Sequence, residues 1–160
     1  MRKAAIACYL CNKYEKATKD KLYPTEPQAR GNVDQLLYVS ENIVDAASSY
    51  MNISGVIFGN GVTNEAKRDD FMKKIGLIEN FLGDKDYLAA HHVTLADFFV
   101  STVLLNVESA LGLPLVDFPK VLAWLDRIKA LPYFSKTHDE GVAMFGQLYK
   151  GNLAKNQAKK

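Results

Sequence analysis

The chain has 160 residues, of which 48% are hydrophobic and 24% charged, enough apolar material for one globular domain with a sizeable core. The formal net charge is +2, with basic residues interleaved among acidic ones, which gives no electrostatic reason to expect a nucleic-acid partner. No apolar run approaches the roughly 20 residues of a membrane span, and the apolar stretch after Met1-Arg2-Lys3 is too short for a secretory signal, so the expectation is a cytoplasmic protein with no membrane association.

Apolar periodicity predicts helices joined by turns, with no alternating strand. The first spans about residues 3–16, with Ile6, Leu10 and Tyr14 spaced four apart on one face. It contains Cys8 and Cys11, a Cys-x-x-Cys spacing that suggests redox chemistry or half of a zinc site. A redox pair needs a helix N-terminus beneath its first sulfur, and these two lie mid-helix. No second cysteine pair completes a metal site, and adjacent His91 and His92 diverge in direction. The expectation is two reduced helical thiols and no metal.

After a loop around Leu22-Tyr23-Pro24, a capping box of Thr25 with Gln28 and a first-turn Pro27 predict a long helix over 26–52. Glycines across 53–61 mark a bend, with Val56-Ile57-Phe58 expected to tuck under the bundle. A third helix over 64–82 aligns Phe71, Ile75, Ile78 and Leu82 and stops at Gly83.

The next helix, 95–111, carries only Asp97, Asn106 and Glu108 as strongly polar side chains, so it should run through the centre of the core. Its start reads as Thr94 N-capping the amide of Asp97 while the Asp97 carboxylate reaches back to the Thr94 amide, with Val93 and Phe98 spaced as a hydrophobic staple. Thr94 and Asp97 are therefore expected to be a structural cap, since an N-cap is worth roughly 1 kcal/mol and a buried bare amide costs more. His91, His92 and His138 read as surface turn residues. Asp117-Phe118-Pro119 predicts an N-cap with proline just inside and a helix to about 131. A last helix over 139–149 carries Val142, Phe145 and Leu148 on one side, and residues 151–160 are expected to form a basic flexible tail. The fold class is all-α, a bundle around a central buried helix.

Four segments carry a likeness to a known family. Leu22-Tyr23-Pro24, Val33-Asp34-Gln35-Leu36-Leu37-Tyr38, Tyr87-Leu88-Ala89 with Val93-Thr94-Leu95-Ala96-Asp97-Phe98, and 122–134 (beginning Leu122-Ala123-Trp124-Leu125) occur in the order and at the spacing found in the C-terminal helical domain of glutathione S-transferases. The sequence most resembles the insect epsilon class, then delta, over nearly its whole length. Ala90-His91-His92 departs from the usual Gly-Asp-x before the cap.

The resemblance implies three segments: 1–18 as the last helix of a thioredoxin-like domain, 19–150 as the helical domain, and 151–160 as the tail. Family members bind glutathione and activate its thiol through that thioredoxin-like domain, which is largely absent from this sequence; Arg2-Lys3 stand where a Glu-Ser pair would grip glutathione. No catalytic residue is carried over, and no cofactor is expected on this chain alone; glutathione would be a co-substrate once a thioredoxin-like domain completes the site. The resemblance further implies a wall for a hydrophobic electrophilic acceptor, made by Asp45, Ser48, Ser49, Asn52, Ile53 and Val56 and closed by Phe145, Leu148 and Tyr149. The polar character of Asp45, Ser48, Ser49 and Asn52 suits an acceptor with a polar group, or else an ordinary solvated face. The expected partners are that small molecule and either a second copy or a thioredoxin-like domain. A non-catalytic ligand-binding or protein-interaction module of the same ancestry is the alternative. A domain built to join another should leave an apolar patch around Ile6, Leu10 and the start of the long helix.

Overall fold

The computed structural model describes residues 2–15 and 20–159; the end of the first predicted helix at Lys16 and the start of the loop at Lys19 fall outside them. The described residues form helices α1 (Arg2–Tyr14), α2 (Pro27–Met51), α3 (Ile53–Phe58), α4 (Arg68–Leu82), α5 (Leu95–Leu111), α6 (Pro119–Lys129) and α7 (Glu140–Gln157), with a 3₁₀ turn at Glu65–Lys67 and a π turn at Ser135–Asp139. No strand occurs among them. The all-α reading is correct, and α5 is the centre of the bundle, packed most extensively against α7 and α2.

α2 begins where Pro27 fits without losing a helical hydrogen bond. The cap differs from the one expected: in place of Thr25 with Gln28, the Glu26 carboxylate accepts from the amides of Gln28 at 2.9 Å and Ala29 at 2.6 Å. Those two bonds hold its carboxyl below the ordinary glutamate value. α2 ends at Asn52, a left-handed residue with φ 49°, and α3 follows directly. The Val56-Ile57-Phe58 run does not tuck under as a unit. It is helical, so residues two apart point in different directions. Val56 is fully buried, whereas Phe58 is 86% exposed.

Along α4 the predicted apolar spacing is realised, with Phe71, Ile75, Ile78 and Leu82 all buried. α5 buries Leu95, Ala96, Val100, Leu104, Leu105, Val107 and Ala110, and it stops at Gly112, whose positive φ of 69° is free of strain for a residue without Cβ. α6 again finds a different cap. Asp117 is exposed and Phe118 makes no side-chain cap, but Glu79 on α4 accepts from the amides of Lys120 at 3.1 Å and Val121 at 2.9 Å. The orphan amides of one helix are thus satisfied by another element.

α7 continues through the stretch expected to be a flexible tail. Asn156 is buried and donates to the carbonyls of Val56 at 3.0 Å and Gly61 at 2.8 Å, so residues 151–157 are tied to the α3 region. Gly146 lets α7 approach α5 closely, because a Cβ there would overlap the Ser109 hydroxyl.

Candidate functional site

The cap at the start of α5 is built into the core. Asp97 Oδ2 accepts from the Thr94 amide at 2.7 Å and the Thr94 hydroxyl at 2.8 Å, completing the expected capping box. Oδ1 accepts from the Leu88 amide at 2.9 Å and from Trp124 Nε1 at 2.9 Å. Burial pushes the Asp97 carboxyl up and the four donors pull it back, with burial the larger effect. With both oxygens engaged and the residue without exposed surface, the arrangement suits structure rather than proton transfer.

The histidines of this region differ in setting. His91 is exposed beside Asp86, Nδ1 to Oδ2 3.6 Å. His92 is half-buried and joins two loops, with Nε2 3.2 Å from the Lys21 carbonyl and Nδ1 3.8 Å from Asp20. His138 stacks on Phe134 with ring centres 4.6 Å apart.

The residues expected to wall an acceptor cleft separate into two groups. Asp45 and Ser49 are exposed on α2, and Ser48, Asn52, Ile53 and Phe145 are half-buried. Asn52 Nδ2 is engaged with the Val62 carbonyl at 2.9 Å, and Leu148 is exposed on α7. Val56 and Tyr149 are instead fully buried. Tyr149 donates to the Met51 carbonyl at 2.5 Å, and burial pushes its phenol up to about 12, so it stays a donor at physiological pH. These two side chains hold α2, α3 and α7 together and leave no surface for a ligand. The inward face of α7 runs through Gly146, Tyr149 and Asn156 and leaves Leu148 exposed.

Two open grooves beside α1 are ones that periodicity alone did not reveal. One, of about 220 Å³ between α1 and α2, includes Ala4, Cys8, Asp34, Leu37 and Tyr38. The other, of about 250 Å³, lies between Lys3 and the α5 side chains Phe98, Phe99, Thr102 and Val103. Around them Ile6, Tyr9, Leu10, Tyr14 and Tyr38 are strongly exposed. α1 buries its small face, Ala4, Ala7, Cys8 and Cys11, and presents its large apolar residues outward. The cue in the sequence was a helix with its bulkiest apolar residues on one side and only small ones on the other.

The model of the glutathione S-transferase C-terminal domain matches residues 43–132, more than half of the chain. The chain belongs to the glutathione S-transferase family. It is 32% identical to glutathione S-transferase D7 of Drosophila melanogaster over 76% of its own length and 53% of that protein, so it spans about half the length of this transferase relative. Its fold is similar to an epsilon-class glutathione S-transferase from the housefly Musca domestica, with TM-score 0.84 and 27% identity, covering 93% of this chain and 68% of that one. A glutathione transferase homologue from Drosophila mojavensis, solved with bound glutathione, superposes with TM-score 0.80 and 26% identity over 93% of this chain and 67% of that one. Among the described residues no helix is long and apolar enough to cross a membrane.

Proposed function

We propose that this chain supplies the acceptor-binding helical half of a cytoplasmic, detoxification-type glutathione transferase. In the reaction a glutathione thiolate attacks an electrophilic carbon, and the leaving group departs with the bonding electrons. The helices contribute proximity and desolvation rather than a base. A thioredoxin-like domain holds glutathione and supplies the hydroxyl that stabilises the thiolate.

The observation that carries this reading is the outward apolar face of α1 together with the Phe98–Phe99 groove. An exposed apolar helix face of this kind fits a domain that packs against another. On this reading the acceptor meets Asp45, Ser48, Ser49, Phe145 and Leu148, and Val56 and Tyr149 support that surface from beneath.

The test fuses the thioredoxin-like domain of an insect epsilon transferase ahead of the 160 residues and follows conjugation of chlorodinitrobenzene, with glutathione-affinity retention on the same sample. The 160-residue chain alone should show neither retention nor turnover. The fusion should show both, with KM for the acceptor shifted by Ser48→Phe. Retention without turnover would sink the acceptor role. It would favour the second reading, a non-catalytic binding module, which draws support from the polar surface of Asp45 and Ser49 and the loss of Val56 and Tyr149 to the core.

A further inference from the structure

We propose that Cys8 and Cys11 form a dithiol site for a monosubstituted trivalent arsenical, with its organic group seated in the groove between α1 and α2. Both cysteines are free and half-buried, and both lie on the α1 face that packs toward the core. Cys8 itself lines the groove. Residues three apart on a helix hold their Cβ atoms about 5–6 Å apart, whereas a disulfide needs about 3.5–4.5 Å. The helix therefore keeps the sulfurs too far apart for a direct bond and suited to a single bridging atom.

The protonation states favour the same chemistry. Burial is the largest effect at both thiols and pushes both up; the Glu15 carboxylate raises Cys11 further, while at Cys8 the Tyr23 hydroxyl and the Arg30 guanidinium pull down against burial and Asp34 without reversing the direction. Protonated thiols resist oxidation and disulfide exchange. Condensation with an organoarsonous acid consumes the thiols: two As–O bonds break, two As–S bonds form, and the two thiol protons leave in two molecules of water. Arsenic remains trivalent, so no oxidant or reductant is involved.

A metal ion is served less well. No group of three or more His, Cys, Asp or Glu side chains suited to an ion occurs among the described residues. Trivalent arsenic with one carbon substituent needs only two thiolates. The groove wall of Ala4, Ala5, Leu37 and Tyr38 suits an aryl group, and the Asp34 and Glu41 carboxylates beside it disfavour an anionic one.

The experiment treats the reduced 160-residue chain with phenylarsine oxide and reads intact mass, free thiol content and release by thiols. One adduct should form with loss of both thiols, stable to excess glutathione and removed by a dithiol. Cys8→Ala and Cys11→Ala, substitutions that favour the helix, should each release the adduct to glutathione at least roughly tenfold faster, since the second bond is intramolecular. Ala5→Phe, which fills the groove, should abolish the preference for phenylarsine oxide over inorganic arsenite and leave arsenite capture intact. The proposal is overturned if either single-cysteine variant holds the adduct as firmly as the wild type. Oxidation of the pair to an internal disulfide with α1 intact, read by circular dichroism, would overturn the spacing on which it rests.

Discussion

The indole nitrogen of Trp124 on α6 donates to Oδ1 of Asp97 on α5 at 2.9 Å, while the Leu88 amide donates to the same oxygen. One carboxylate thus caps its own helix, fixes the loop before it and anchors a neighbouring helix through the single tryptophan of the chain. Asp97→Ala strands four buried donors and should cost at least about 3 kcal/mol. Trp124→Phe removes one charge-assisted bond and should cost about 2 kcal/mol. Urea denaturation checks both, by tryptophan fluorescence for the first and circular dichroism for the second. A cost below about 0.5 kcal/mol for Asp97→Ala would show that the hub is not structural.

Glu79 caps α6 from α4. Glu79→Ala should cost about 1 kcal/mol, the usual worth of a cap, and Asp117→Ala should be nearly neutral. The paired urea midpoints decide between them. Equal costs would mean that Asp117 shares the capping in solution.

Glu26 gives a pH dependence of known sign. Its folded pKa lies below the ordinary 4.5 because the Gln28 and Ala29 amides favour the charged form. Its stabilising effect is therefore present above that ordinary value and fades as pH falls through the lower folded value. Glu26→Gln should lower Tm at neutral pH, and the gap from wild type should close in acid. A gap that widens in acid would contradict the assigned cap.

The end of α7 is held by Asn156. Asn156→Ala leaves the Val56 and Gly61 carbonyls without that donor and should cost about 1–3 kcal/mol. Removing residues 151–160 should cost at least as much, read by thermal melts. Unchanged melting after truncation would show that the last turns of α7 do not support the domain.

The sequence determined most of the helices and the Thr94–Asp97 cap that opens the central one. Local rules sufficed: the four-residue apolar spacing of α4 and the Thr94–Asp97 cap act over three to four residues, so their geometry is implied by their order. Tertiary structure decided which carboxylates cap α2 and α6, because Glu79 lies about forty positions from the amides it serves and no local pattern joins them. It decided that residues 151–157 continue α7, since Asn156 gains its two acceptors only after α3 has folded against it. It also withdrew Val56 and Tyr149 from the expected acceptor wall and exposed the large residues of α1. Periodicity identifies an apolar face, but only the packing of the other helices determines whether that face is buried.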